Sequence, residues 1–339
     1  REISSYMQLL KLYKSLVGSK KFPFAQQMMR ECLRAAAALE DANSQYLLGK
    51  LLLDEAKFRE EMQNQEVFAS TNNEKLYLDR MKFTRLGFDI LKNYMLMVKE
   101  AATNIDYTSA VGYGEKGLAA REQLTPMNGI FTTYKRIGEQ GYAWWPGEVQ
   151  QYKELSGLVD GTKGILVKKL PLEWAFMRDP ENIGLKEKYY ECSVDLSYWN
   201  ENHKNFTVKT RKDYPEKTWE IVTADLYIQA QGIRNKDRQS YTGYGWYRAN
   251  LELNNNDVQG NVHIMFPGLF NECWLYINGV QVAHRENYKP IWWFNDYRFE
   301  WDIDLTGKLK PGENTIALRI YNPHHFGGMF RRPFIYRLK

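Results

Sequence analysis

Two segments near the C-terminus combine aromatic rings with hydrogen-bonding side chains. The first segment contains Tyr288, Trp292, Trp293 and Asn295, and the second contains Asn322, His324 and His325. Aromatic rings offer flat apolar faces, and amide and imidazole groups exchange hydrogen bonds with hydroxyl groups. Because loops carry function more often than strands do, we predict that these segments bind a flat, hydroxyl-rich ligand such as a sugar. The alternative, in which both indoles bury a corner of the fold or a domain interface, stays open.

The sequence offers little that could catalyse a reaction. Asn-Glu pairs at 200–201 and 271–272 lie in the second half of the chain, and glycoside hydrolysis needs two carboxylates about 5–10 Å apart. Dipeptides of this kind also arise by chance, and the first pair lies in a polar stretch. No Gly-rich phosphate loop, nucleophile elbow or Cys-x-x-Cys pair is present. We therefore predict no catalytic residue in this chain.

Metal and disulfide sites are not indicated either. The three cysteines, Cys32, Cys192 and Cys273, are odd in number and widely separated, which excludes a disulfide framework. The five histidines lack the spacing of a zinc site. We predict no cofactor and assign no metal ligand. A structural calcium stays open, since its oxygen ligands are hard to recognise in a sequence.

Length and charge narrow the class of protein. A chain of 339 residues is long enough for two domains. The net charge of +5 comes from dispersed residues without a dense basic block, so we expect no nucleic-acid partner. No run of about 18 apolar residues occurs, so we expect no membrane span. The aromatic content of 14% is concentrated in the second half and suits strands and stacking surfaces.

The two halves of the chain differ in their hydrophobic period. Apolar residues in 1–140 recur at three and four positions, which predicts an α-helical bundle of five helices. One helix should run from about 74 to 103, and the last from about 109 to 139. The Trp-Trp-Pro-Gly sequence at 144–147 and three later glycines interrupt this period, and we assign 141–164 to a linker.

From 165 to 339 short alternating runs separated by turn residues predict an antiparallel β-sandwich. The predicted strands include 246–253, 262–266, 273–277, 280–284, 298–303 and 315–321. Asn278-Gly279 lies between two of them and fits a tight hairpin turn in which both residues have a positive φ. Alternation within 246–253 sends Trp246 and Arg248 to the same side of the sheet.

Four motifs in this half resemble a known domain. They are Tyr-Gly-Trp-Tyr-Arg at 244–248, Cys-Trp-Leu-Tyr-Ile-Asn-Gly at 273–279, Lys-Pro-Gly-Glu-Asn-Thr at 310–315 and Gly-Gly-Met-Phe-Arg-Arg-Pro at 327–333. Their order is similar to that in the sugar-binding domain of glycoside hydrolase family 2, a jelly-roll sandwich with a galactose-binding-like fold. Trp174-Ala175-Phe176 resembles its first strand. Related sandwiches often hold a structural calcium, and the segment before the Gly-Gly motif faces substrate in the family's enzymes.

The resemblance implies a role for the whole chain. We predict a non-catalytic, carbohydrate-associated module of a bacterial polysaccharide-degrading protein, which binds a poly- or oligosaccharide or braces a catalytic domain N-terminal to it. The helical half weakly resembles the helical region of uncharacterised bacterial glycosidase-like proteins. An extracellular or periplasmic location follows from this role, although Arg1 and its neighbours do not form a signal peptide. Two alternatives remain: the C-terminal part of a glycoside hydrolase whose catalytic domain lies outside these residues, and a protein-interaction scaffold.

Overall fold

A computed structural model describes residues 75–124, 126–127, 144–206, 211–237, 239–270, 272–286, 299–324 and 326–339, together with the isolated residues 60, 63, 64 and 67. The chain divides into two compact units, Arg1–Ser156 and Gly157–Lys339. The predicted fold class, helices followed by an antiparallel β-sandwich, is confirmed in these ranges. The predicted division at 141–164 stays a prediction.

The described part of the first unit consists of helices. Helix α1 spans Lys75–Lys99 and continues as a π-helical turn over Glu100–Asn104. Ile105 then adopts a left-handed conformation with φ of 53° and ends the helix. Asp106 caps the next helix, α2 (Tyr107–Leu124), because its carboxylate accepts a hydrogen bond from the Ser109 backbone N–H at 2.9 Å.

Helix α3 spans Trp144–Val159 and begins inside the range predicted as a linker. The sequence pattern predicts a break at Pro146, but proline is tolerated in the first turn of a helix, where its missing N–H has no intrahelical partner. In the first unit, Val149 of α3 lies so close to Gly114 of α2 that any side chain at 114 would collide with it. Of the described helices, none combines the length and the apolar character that crossing a membrane would require.

The described part of the second unit is a β-sandwich that also carries a short α-helix, α4 (Ser197–Asn202). Its strands are β1 (Gly164–Lys169), β2 (Glu173–Asp179), β3 (Glu220–Thr223), β4 (Gly243–Leu253), β5 (Val262–Phe266), β6 (Gly268–Phe270), β7 (Glu272–Ile277), β8 (Val280–Arg285), β9 (Trp301–Asp304), β10 (Gly312–Asn322), β11 (Gly328–Arg331) and β12 (Phe334–Leu338). One sheet has the order β1-β12-β5-β9 and a larger one the order β3-β2-β4-β10-β7-β8, while β11 pairs with β6.

The main hydrophobic core lies between these sheets. The larger sheet contributes Trp174, Phe176 and Tyr247, and the smaller one contributes Phe266 and Ile335, all of them fully buried. Burial of each side chain of this size contributes about 1.5–3 kcal/mol. The core fixes the register of the strands, because a shift by one residue would turn every one of these side chains to the opposite face.

A second apolar cluster covers the outer face of the six-stranded sheet. Trp246 and Tyr276 lie at its centre, and Tyr189 and Tyr190 from the segment after β2 pack against them. Arg248 donates hydrogen bonds to the backbone carbonyl oxygens of Tyr189 and Cys192, at 2.8 and 2.9 Å. The prediction that Trp246 and Arg248 share one side of the sheet is therefore confirmed, and both residues support the fold.

Candidate functional site

The structure describes only part of the two predicted binding segments. Tyr288, Trp292, Trp293, Asn295 and His325 lie outside the described residues, and their predicted roles stay predictions. Asn322 and His324 are described, and so are the residues that lead into and out of both segments.

Asn322 is the last residue of β10, and its side chain is buried rather than presented to solvent. Its amide nitrogen donates to the Tyr241 carbonyl oxygen at 3.3 Å. Gly327 lies directly on this amide, since a Cβ at 327 would collide with the Asn322 side chain. In this arrangement Asn322 supports the backbone at Gly327, directly before β11. Direct contact between its side chain and a sugar stays a prediction.

Hydrogen bonds fix the Gly327-Gly328 segment. The Gln229 side chain accepts a bond from the Gly327 N–H at 2.8 Å and donates one to the Tyr241 carbonyl at 2.7 Å. Gly328 has a φ of +82°, and a Cβ there would collide with the buried Tyr247 hydroxyl. Glycine is thus required at 328 both by backbone conformation and by space.

Gln229 belongs to a segment, 224–232, that closes this end of the sandwich. Within it Gln231 accepts a bond from the Thr223 N–H at 2.8 Å and donates to the carbonyls of Thr223 and Leu226 at 2.9 and 2.8 Å. Sequence reasoning missed both glutamines. The only local signal was a Gln-Ala-Gln run in a segment without a strand pattern, and Gly327, which bonds Gln229, is 98 residues away in sequence.

Aromatic side chains gather at this same end of the sandwich. We call them the loop-end cluster, which consists of Tyr227, Phe270, Phe299, His324, Phe326 and Phe330. Phe299 follows the first predicted segment and lies 4.9 Å from Phe270 between ring centroids, and His324 of the second lies 6.3 Å from the same ring. One ring therefore contacts both His324 of the second segment and Phe299, the first described residue after the first segment. Phe326 is 42% exposed, which leaves part of the cluster open to a ligand.

Arg285 comes shortly before the first segment, and its side chain bonds residues that follow the segment. Its guanidinium donates to the Phe299 and Glu300 carbonyls at 3.4 and 3.3 Å and to the Leu269 carbonyl, and it lies 5.4 Å from the Trp301 ring centroid.

Complete burial raises the pKa of the neighbouring Cys273 thiol to about 12, so this thiol stays protonated at neutral pH.

A second group of side chains lies on the outer face of the six-stranded sheet, at the end that carries the predicted segments. We call it the outer-face cluster, and it consists of Tyr244, Glu272, Trp274, His284, Arg319 and Tyr321. The strand register places Arg319 opposite Trp274 and places Trp274 opposite His284. Sequence reasoning missed this cluster, because its members come from four strands that are not all consecutive.

Planar groups stack across these four strands. The Arg319 guanidinium carbon lies 4.3 Å from the Tyr244 ring centroid and 4.1 Å from that of Trp274. Trp274 and His284 follow at 4.8 Å with an interplanar angle of 7°. These separations approach the spacing of strands in a sheet, about 4.8 Å. The stack keeps the rings upright and holds His284 in one orientation.

Polar groups accompany the stack. His284 Nε2 lies 3.2 Å from Glu272 Oε1, with the two side chains 32% and 20% exposed. Tyr321 lies beside Glu272 in the register and 4.6 Å from Tyr244 between ring centroids. Among the residues that the structure describes, none accepts a hydrogen bond from the Tyr321 hydroxyl or the Trp274 indole. These polar groups are therefore open to water or to a ligand.

The charged guanidinium group of Arg319 is buried from solvent. The residue is 4% exposed, and its guanidinium donates a hydrogen bond of 2.6 Å to the Asn182 side-chain oxygen. Burial lowers the pKa of Arg319, although an arginine so affected remains a cation at neutral pH. Arg319 therefore supports the cluster by its contacts with the Tyr244 and Trp274 rings.

The Asn-Glu pairs gain no support as a catalytic pair. Glu201 is exposed on α4, whereas Glu272 lies on β7 beside His284. Among the described residues, no group of three or more His, Cys, Asp or Glu side chains is placed to hold a metal ion.

Comparisons with known proteins give one distant likeness. No protein-family model matches the chain, and no curated protein matches it. Among solved structures, the chain is similar to the β-glucuronidase of Ruminococcus gnavus, with 15% identity, a TM-score of 0.38, and coverage of 52% of this chain and 29% of that one. The complex of that enzyme with D-glucuronic acid gives the same identity and TM-score, with coverage of 52% and 30%. This chain thus spans less than a third of those proteins, and a likeness at this level carries no inference about activity.

Proposed function

We propose that the unit Gly157–Lys339 is a carbohydrate-associated module that binds sugar at its loop-end cluster and does not itself catalyse a reaction. The observation that supports the proposal is that Phe299, which follows the first predicted segment, and His324 of the second both lie against Phe270, in one cluster with the partly exposed Phe326. The motif resemblance to the sugar-binding domain of glycoside hydrolase family 2 supports the same role.

The chemistry of the cluster suits a sugar. An exposed ring stacks on the C–H face of a pyranose, and an imidazole exchanges hydrogen bonds with its hydroxyl groups. Gln229 fixes the backbone at Gly327, and Asn322 is bonded to the Tyr241 carbonyl, so these two positions beside the cluster are held before a ligand arrives. Such order reduces the entropy lost on binding.

The wider role is part of the proposal. The module belongs to a bacterial, extracellular or periplasmic protein that degrades polysaccharides, whose catalytic domain lies outside these 339 residues. There it binds the polysaccharide or braces the catalytic domain.

A glycan array followed by calorimetry tests the proposal. We expect the chain to bind at least one plant, algal or host polysaccharide, and Phe326→Ala or His324→Ala to weaken that binding at least tenfold, about 1.4 kcal/mol. Trp292→Ala and His325→Ala extend the test to the segments that were predicted from sequence. Val280→Ala is the control, since Val280 is 64% exposed on β8, directly after the hairpin turn. Failure to bind any glycan, or binding that none of the four variants weakens, would refute the proposal.

A further inference from the structure

We infer that the sugar-binding surface extends from the loop-end cluster onto the outer face of the six-stranded sheet, where Tyr321, Glu272 and His284 form a subsite for a neutral sugar. This inference rests on the proposed function and adds to it both a location and a class of ligand. It concerns side chains of strands β7, β8 and β10 that do not belong to the binding residues predicted from sequence.

The subsite is continuous with the loop end. Tyr321 immediately precedes Asn322, Glu272 is the first residue of β7, and His284 is the last residue but one of β8. Because β7 is antiparallel to both β8 and β10, these three positions meet at one end of the sheet. That end is also where the chain enters both predicted segments. A ligand longer than one sugar ring could therefore contact both surfaces.

The polar groups suit sugar hydroxyl groups. Glu272 uses Oε1 toward His284, and its other oxygen, Oε2, has no partner among the described residues. This oxygen can accept a hydrogen bond from a hydroxyl group, as an ionised carboxylate accepts at both oxygens. Tyr321 supplies a ring and an unengaged hydroxyl next to it. An aromatic ring beside hydrogen-bonding groups presents the two surfaces that a pyranose matches.

The charges of the subsite favour a neutral ligand. Glu272 brings a negative charge to the surface, while the Arg319 cation is buried between the Tyr244 and Trp274 rings. A sugar carboxylate placed here would face Glu272 without reaching Arg319, and like charges in contact disfavour binding. We therefore expect neutral polysaccharides to bind and polyuronates to be excluded from the subsite.

The stack beneath the subsite makes it rigid. His284 lies flat against Trp274, which in turn lies against Arg319. Side chains that are already held in one rotamer lose little entropy when a ligand binds. The His284 imidazole stacks on the Trp274 ring, and the Arg319 guanidinium lies close to the same ring. Trp274 therefore supports the subsite. Tyr321 is the ring that we assign to the ligand.

Affinity gel electrophoresis of the full chain tests the inference, with laminarin, galactomannan and arabinoxylan as neutral probes and polygalacturonate as the acidic one. We expect a neutral polysaccharide to retard the chain and Glu272→Gln, His284→Ala and Tyr321→Ala each to weaken retardation at least fivefold. Glu272→Gln keeps the shape of the side chain, and His284 is an exposed surface residue. Melting temperatures measured alongside identify any variant that fails to fold, and Val280→Ala is the control.

The outcomes separate the inference from the proposed function. If Phe326→Ala weakens binding but Glu272→Gln and His284→Ala do not, the loop-end proposal stands and the outer-face subsite is refuted. If polygalacturonate binds as well as the neutral probes and Glu272→Gln leaves its binding unchanged, the assigned ligand class is wrong. If no polysaccharide binds the wild-type chain, both the proposed function and this inference fail.

Discussion

Replacement of Gly328 by alanine should destabilise the sandwich through two separable effects. The φ of +82° costs a residue with a Cβ about 1–2 kcal/mol. The new methyl group would also collide with the Tyr247 hydroxyl, and overpacking of this kind costs about 1–3 kcal/mol. We expect a combined loss of about 2–5 kcal/mol, which corresponds to a melting temperature lower by about 4–20 °C for a domain of this size.

Gly312→Ala is the matched control for this prediction. Gly312 has a φ of +87°, but a Cβ there would have no neighbour within 4 Å. It should therefore show the conformational cost alone, about 1–2 kcal/mol. Thermal and urea denaturation of both variants, followed by circular dichroism, measure the difference.

A double-mutant cycle identifies the atom responsible. Tyr247→Phe removes the hydroxyl that also accepts a hydrogen bond from the Met329 N–H at 3.2 Å, so by itself it costs about 1–3 kcal/mol. In this background Gly328→Ala should cost less than it does in the wild type, because the hydroxyl is absent, but still more than Gly312→Ala, because Ile228 Cγ2 remains 3.0 Å from the new methyl group. An equal cost of Gly328→Ala in both backgrounds, or equal costs at 328 and 312 in the wild type, would refute the reasoning.

Three further predictions concern buried polar groups. Asn314→Ala should lower the unfolding free energy by about 1–3 kcal/mol, because the buried Asn314 amide bonds both backbone groups of Lys310; urea denaturation checks this, and an unchanged midpoint would contradict it. Gln229→Leu should destabilise by a similar amount, since it leaves the Gly327 N–H without its acceptor, and it should also weaken any glycan binding at the loop end, as calorimetry would reveal. Burial raises the pKa of the Cys273 thiol to about 12, so its thiolate should form only as the pH nears that value; iodoacetamide at pH 8 should leave Cys273 unmodified in the native protein and modify it after unfolding, as read by mass spectrometry.

Local patterns predicted the two longest described helices and six of the twelve described strands. Strand β5 has the predicted bounds, and the turn at Asn278-Gly279 has φ values of 50° and 80°, as a tight hairpin requires. The helix predicted from about 74 to 103 corresponds to α1 and its π-helical extension. These features depend on residues that are neighbours in sequence, where hydrophobic period and turn chemistry act directly.

Other elements departed from the predicted bounds for identifiable reasons. Strand β9 begins at Trp301 rather than 298, and Phe299 has a φ of +51°, which interrupts extended backbone. Helix α3 was missed because Trp-Trp-Pro-Gly was taken as a break. Of the helix predicted for 109–139, residues 107–124 are helical and 128–139 lie outside the described range.

The candidate site was harder to predict than the fold. His324 lies after strand β10 as predicted, whereas Asn322 is the last residue of that strand, and its buried state follows from contacts with Tyr241 and Gly327. The outer-face cluster depends on the order β4-β10-β7-β8, which brings together residues up to about 80 positions apart. Sequence periodicity shows which residues share a face, yet it does not show which strands are neighbours.

The most direct test of the central claim is calorimetric titration of the full chain, wild type and Phe326→Ala, with the polysaccharide that ranks highest on a glycan array. We predict saturable binding to the wild type and at least tenfold weaker binding to Phe326→Ala, with equal melting temperatures for the two proteins. Equal affinity in both, or no binding by the wild type to any glycan, would contradict the assignment of a sugar-binding loop end.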